Sequence, residues 1–376
     1  MESILKIVTQ LDQGLTMANS LVSVIVPTYN RAYCVARTIK TALAQTHGHV
    51  EVLVIDDGST DETRDVIRAE FGSEPRVKYV LQGNTGVSGA RNHGLRIAQG
   101  DFVALLDSDD LWHPWKVEVQ LAAFRLIPEA GLVSTDMEAI HPDGQVFSTR
   151  YLRAMYQAHR WFTYETLYER SWELSEAAPW LDEPLRSSRL YAGNVFSSMI
   201  MGSLIHTSTV MLRRQLADSV GGYNPEYTNG GEDYDFHLRA CRLSPVAFVD
   251  VSSIQYQRGF TDRITRPETH LRIATNFLRV ISKAVREHRD EIRLPASMLN
   301  EVFADAHAWI GEMALDRGDH SLARDHLVRS LWYLRRQPRV FRLLAMASLP
   351  KSLGAWMRST VRAWKARKPS MIENSH

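Results

Sequence analysis

Asp101 to Trp112 reads DFVALLDSDDLW, and the fold turns on this stretch. Phe102-Val-Ala-Leu-Leu106 is an apolar run of the length needed by a strand buried on both faces. Asp107, Ser108, Asp109 and Asp110 then put three carboxylates within four residues. In an open α/β sheet the carboxyl end of a strand is where ligands bind. Carboxylates crowded there repel one another, and a bound cation keeps them ionised together. Oxygen donors with no Cys or His beside them suit Mg2+ or Mn2+ over zinc. Taken alone, DSDD also reads as an acidic helix cap, since Asp is a favoured N-cap and suits a first helical turn.

Upstream the same alternation of strand, polar loop and helix repeats three times. LVSVIV (21–26), closed by Pro27, reads as a strand, and Thr28-Tyr29-Asn30-Arg31 as its loop before helical spacing over 33–44. VEVLVI (50–55) is a second strand, ending in Asp56-Asp57-Gly58-Ser59-Thr60-Asp61 ahead of a helix over 62–70. A third strand over 77–81 leads through Gln82-Gly83-Asn84-Thr85-Gly86 into a helix over 87–98. This pattern predicts βαβ units, a mostly parallel sheet and an α/β class. Right-handed crossovers bring Thr28-Tyr29, Asp56-Asp57, Asn84-Gly86 and Asp107-Asp109 to one edge. Gly83, Gly86, Gly89 and Gly94 do not form GxGxxG, so the dinucleotide fingerprint is absent. A carboxylate there suits a base N–H or ribose hydroxyls, with a cation for phosphates. Individually, Asp56, Asp57 and Asn84 also read as plain turn formers.

Downstream, a helix is expected from 112 to 127, a strand at 131–134, and a hairpin over 137–147 around His141-Pro-Asp-Gly144. Trp161, Tyr164, Tyr168, Trp172, Trp180 and Tyr191 read either as a surface that stacks on acceptor sugars or as packing residues. A strand is expected at 208–212. Paired glycines precede Glu232, Asp233 and Asp235; glycine lets backbone approach a ligand closely, and Asp233 falls in the first turn of a helix, where carboxylates are electrostatically favoured. This makes a second acidic cluster.

At 376 residues the chain has the length of two domains, with 44% hydrophobic and 23% charged residues, as in an ordinary soluble protein. Cys34 and Cys241 form no CxxC pair, which argues against a disulfide framework or zinc site and fits a reducing cytosol. The first 20 residues resemble neither a signal peptide nor a spanning helix, and no stretch reaches the length of a span. From about residue 268 the chain turns helical, with a hairpin over 302–315 and 321–334 that carries a faint single tetratricopeptide pattern. Between Leu331 and Lys368 there are ten basic residues and no acid. A helix opened by Pro350 would place Leu353, Trp356, Met357, Val361 and Trp364 opposite Lys351, Arg358, Arg362 and Lys365. Such a helix suits an anionic membrane surface or, alternatively, packs on a domain. No nucleic-acid motif accompanies the basic run.

Five segments in order, SVIVPTYNRA (23–32), VLVIDDGSTDET (52–63), GVSGARNHGL (86–95), LLDSDDLW (105–112) and GGEDYDFHLRA (230–240), resemble the family 2 glycosyltransferases, an inverting class with the GT-A fold. The resemblance covers residues 21 to 260 and implies an N-terminal extension over 1–20, a catalytic domain over 21–262 and a helical region over 263–376. It implies that Pro27, Tyr29, Asp57, Arg91 and Asp107 contact a nucleotide, usually uridine diphosphate. Asp107 and Asp109 would be the DxD pair that holds Mn2+ or Mg2+, and Asp233 the general base. Glu232 would contact the acceptor or cap its helix. Many relatives carry a His after the helix of this Glu-Asp pair; here Ile254 to Phe260 has none, which implies either a lower metal affinity or positive charge supplied to the diphosphate by Arg258. The implied reaction moves a sugar from a nucleotide-sugar donor to a hydroxyl of a glycan or lipid-linked acceptor, in the cytoplasm at the inner face of the plasma membrane. A nucleotidyltransferase acting on sugar phosphates, or a non-catalytic binding protein, is the competing reading.

Overall fold

Val22–Thr28 (β1) and Val50–Asp56 (β2) are buried at every position, as continuous β-branched runs must be when a sheet is covered on both faces. The computed structural model describes residues 19–227, 230–258 and 267–349. Contacts divide the chain into two compact units, one running to residue 264 and taking in His288–Arg293, the other made of 265–287 and the residues from 294 on.

The first unit is built on an 11-stranded sheet. β1 lies between β2 and Phe102–Leu105 (β4), with Val77–Leu81 (β3) outside β2, and all four are parallel. The helices that link them span Val35–Leu43, Thr63–Phe71 and Gly86–Ile97, close to the expected bounds. Gly94 lets the last of these lie on β1, because a Cβ at that position would meet Ile25 Cγ2 at 2.4 Å.

Beyond β4 the sheet becomes mixed. Met211–Arg213 (β10) inserts antiparallel between β4 and Leu132–Ile140 (β6), and β6 pairs in parallel with Val246–Gln257 (β11). Arg189–Gly193 (β9) and Arg170–Glu173 (β8) close that edge in antiparallel pairing. Val146–Ser148 (β7) folds back on β6 as the predicted hairpin. Leu111–Trp112 (β5) pairs with β11 at Ile254 and Gln255. The helix expected from Trp112 therefore starts at Lys116, after Pro114 has turned the chain.

Two other expectations shift. The strand expected at 208–212 is a single turn over Thr207–Thr209 followed by β10, because Ser208 is drawn into the loop after β4. Of the aromatics between 149 and 198, Tyr164, Tyr168 and Tyr191 close on Phe248 at 4.6, 6.1 and 6.5 Å between centroids and are buried. For these three the packing reading holds.

The second unit contains the helices His270–Glu287, Ala296–Asp316, His320–Tyr333 and Pro338–Ser348. Its core joins Ala314, Leu315, Ala323, Leu327, Val340 and Ala347. Asp319 caps the third helix by accepting from the Leu322 N–H at 3.0 Å. The basic segment 350–368 and most of the 1–20 extension lie outside the described residues. Among the described residues no helix is long and apolar enough to cross a membrane.

Candidate active site

The carboxyl ends of β1, β2 and β4 are polar loops fastened to one another. Asn30 N donates to Ser59 Oγ at 2.9 Å, and Thr60 N to Asn30 Oδ1 at 2.8 Å. Pro27 is buried within β1, opposite Ile55, while Tyr29 is 45% exposed at the loop's rim. Asp57 is buried, and its carboxylate accepts from Gln82 Nε2 at 2.7 Å, Thr85 N at 2.9 Å and Gly86 N at 2.8 Å. It thereby satisfies N–H groups at the start of the helix Gly86–Ile97 that have no partner within the helix.

Arg91 projects from that helix into the centre of the site. Its guanidinium donates to Asp107 Oδ1 at 2.7 Å and to Glu232 Oε1 at 3.3 Å, and lies 5.2 Å from the Tyr223 ring centroid. The residue expected to contact a nucleotide thus joins the two acidic clusters. Burial alone would raise the Asp107 carboxyl, but Arg91 beside it, with His206 and His237 farther off, holds it below its usual value.

The loop after β4 is pinned on three sides. Thr38 Oγ1 donates to the carbonyls of Ser108 and Asp110 at 2.9 and 3.0 Å. Gln257 Nε2 donates to the Asp109 carbonyl at 2.8 Å. Ser208 Oγ donates to Asp110 Oδ2 at 2.6 Å and accepts from Asp107 N at 3.1 Å, while Trp112 Nε1 donates to the Ser208 carbonyl at 3.0 Å. As a result Asp107, Asp110 and His206 offer atoms within 4.8 Å of one another.

Two carboxylates and an imidazole fit a divalent cation of the Mn2+ type. His206 Nδ1 accepts from Ser208 N at 3.3 Å, so its neutral ring carries the proton on Nε2, and ligation through Nε2 requires the other tautomer. The sequence marks Asp110 only as a member of the acidic run and does not mark His206, while the resemblance pairs Asp107 with Asp109. The imidazole in this cluster comes from the turn before β10 and not from the stretch Ile254 to Phe260. Nothing in the sequence marks that turn except its length of small hydroxyl residues, HTST (206–209).

The second cluster opens the helix Glu232–Leu243. Gly230 and Gly231 have φ of 124° and 101°, a left-handed conformation that favours glycine. Glu232 Oε2 accepts from Gly230 N at 2.9 Å. Burial, then the neighbouring Asp233 charge, pushes the Glu232 carboxyl up to about 7 against the pull of Arg91. Asp233 is half-buried and accepts from Tyr234 N at 2.7 Å. Asp235 instead pairs with Arg239 at 2.6 Å and belongs to the helix's packing. Burial pushes the Tyr156 hydroxyl up, and the charges of Asp233, Tyr256, Asp107 and Asp110 add to this. Arg258 is exposed, with its guanidinium 5.3 Å from the Phe147 ring centroid.

Residues 23–173 match the model of Glycosyl transferase family 2. Over that segment the chain is similar to the family. Chondroitin synthase of Escherichia coli is 32% identical over 162 residues, which are 42% of this chain and 24% of that protein. The matched part of this chain therefore spans about a quarter of that relative's length. Among solved structures, S. aureus TarS superposes with a TM-score of 0.55 at 16% identity, covering 90% of this chain and 53% of that one. TarS 1–349 in complex with UDP-GlcNAc gives 0.50 at 15% identity, covering 85% and 93%. At these identities the likeness speaks for the GT-A fold alone.

Proposed function

We propose that the chain is an inverting glycosyltransferase that moves a sugar from a nucleoside diphosphate donor, a UDP-sugar, to a hydroxyl of a glycan or lipid-linked acceptor. The observation that carries this reading is the Arg91 bridge, which joins Asp107 at the end of β4 to Glu232 at the start of the ED helix. Two acidic clusters far apart in the chain thus face one crevice, one suited to a cation and the other to a proton. UDP-GlcNAc bound to TarS, and the sugar-polymer product in the name chondroitin synthase, support the donor and acceptor classes.

In this reading Tyr29 and Asp57 border the nucleoside, with Asp57 holding the loop that receives it. Asp107, with Asp109 or Asp110 and His206, would hold Mn2+ or Mg2+. When bound, such a cation neutralises charge on a departing diphosphate. Asp233 takes the proton of the acceptor hydroxyl as its oxygen bonds to the sugar's anomeric carbon. The bond from that carbon to the diphosphate oxygen breaks, and UDP leaves with the electron pair. Attack from the face opposite the leaving group inverts the anomeric centre. The basic segment 350–368 would hold the enzyme against anionic lipid at the inner membrane face.

Incubating the full chain with Mn2+ and a set of UDP-sugars, with and without an oligosaccharide acceptor, tests the reading. UDP release that depends on the metal and is lost in Asp107→Ala is the expected result. Release of pyrophosphate would instead identify a nucleotidyltransferase.

A further inference from the structure

A run of aromatic rings leads away from the acidic site along the ends of β11 and β7. His206 meets Tyr256 edge-on at 5.3 Å between centroids. Tyr256 lies near-parallel to Tyr151 at 6.1 Å, Tyr151 meets Phe147 at 5.7 Å, and Phe147 meets His141 at 4.7 Å. The backbone fixes this order, since Tyr256 is opposite Ala139 on β6, Tyr151 N donates to the Met137 carbonyl at 2.7 Å, and β7 pairs with Ala139 and Ile140.

These rings differ from those of the core in exposure. Tyr164, Tyr168 and Tyr191 are at most 9% exposed, whereas Phe147 is 37% exposed, Tyr151 and Tyr256 are half-buried, and His141 is exposed. Rings needed only for packing bury their faces; a line of half-open faces beginning at a catalytic crevice is suited to flat apolar ligand surfaces. The C–H face of a pyranose is such a surface, and its weakly positive hydrogens complement the negative face of an aromatic ring. At the outer end Arg258 lies over Phe147 with no carboxylate partner among the described residues, while nearby Arg150 pairs with Asp250 and Arg153 lies over Tyr164. A guanidinium fork fits a carboxylate with two parallel hydrogen bonds.

We propose that this run is the acceptor track, taking pyranose rings against Tyr256, Tyr151 and Phe147 and the carboxylate of a uronic acid at Arg258. The assignment rests on the glycosyl-transfer reading above and adds the class of acceptor, an acidic glycan. The sugar at Tyr256 would present its terminal hydroxyl towards the crevice, since His206 of the acidic cluster meets Tyr256 edge-on.

The test uses the full chain with saturating UDP and Mn2+ on an array of neutral and uronate-bearing oligosaccharides, with UDP binding followed in parallel by calorimetry. Uronate-bearing members should be retained over neutral ones, and Phe147→Ala and Tyr151→Ala should each weaken retention by about tenfold. Arg258→Gln should remove the preference for uronate. UDP binding should persist in Phe147→Ala and Arg258→Gln, whose side chains are exposed, and circular dichroism checks that Tyr151→Ala is folded. A parent that binds UDP but retains no uronate-bearing glycan, or retains neutral glycans equally, overturns the track. So does unchanged retention in Phe147→Ala together with Arg258→Gln. A parent that binds neither UDP nor glycan sinks the underlying glycosyl-transfer reading instead.

Discussion

Glu232 and Asp233 are neighbours with different surroundings. Glu232 is buried, with one oxygen on Arg91 and the other on Gly230 N, while Asp233 is half-buried at the same helix start. Both Glu232 oxygens are occupied, by Arg91 and by Gly230 N, which leaves Asp233 the more open carboxylate and the one we propose as base. Asp233→Asn should keep UDP and metal affinity while transfer falls by ~10²–10⁴-fold, the contribution of a positioned base. Near-normal turnover in that variant beside an inactive Glu232→Gln would move the role to Glu232, with single-turnover transfer assays as the measurement. The acids themselves were legible in sequence, because three carboxylates behind paired glycines have few uses. Their division of labour was not, since it depends on Arg91, 141 residues earlier. Asp57 makes the same point: its position at a strand end suggests a nucleotide partner, yet here its oxygens cap the next helix.

At the level of elements, the short strand β10 and the turn before it complete the first cluster. Ser208 holds the Asp107 backbone and the Asp110 carboxylate together. Ser208→Ala removes both contacts and leaves the donor atoms unoriented, which lowers metal affinity by ~10–100-fold in comparable second-layer substitutions. Calorimetry of Mn2+ in the presence of UDP measures this, and a change under about twofold would show that the turn does not hold the cluster. The parallel strands β1 to β4 were readable because each is an uninterrupted apolar run with a polar loop behind it. β10 was readable only as an apolar stretch. Its place between β4 and β6, which carries His206 to Asp107, is set by long-range pairing that no local pattern records.

For the whole molecule, the buried Glu232 links stability to pH. Burial and the Asp233 charge push its carboxyl up to about 7 from an ordinary 4.5, so the folded state holds its proton more tightly. Its contribution is fully present below the unfolded value and is lost as pH rises through the folded one. Asp107 has the opposite sign: its lowered value gives stability above 3.8 that is lost on acidification through the folded value. Urea midpoints at about pH 5 and about pH 7.5 should therefore fall for the parent and stay flatter for Glu232→Gln. Equal slopes would mean that the burial of Glu232 is relieved by water. The second unit carries a separate prediction. Deleting 350–376 should abolish co-sedimentation with anionic vesicles and leave UDP binding intact; an unfolded product would make the segment part of the core.

The order β4-β10-β6 has a consequence in time. β4 is apolar and buried at all four positions, yet its neighbour β10 follows it by about a hundred residues. At ~5–20 residues per second on the ribosome, one edge of β4 stays open for roughly 5–20 s after it emerges. An open apolar edge is a template for foreign strands. Yield from fast, crowded expression should thus be limited by the interval between Leu105 and Met211.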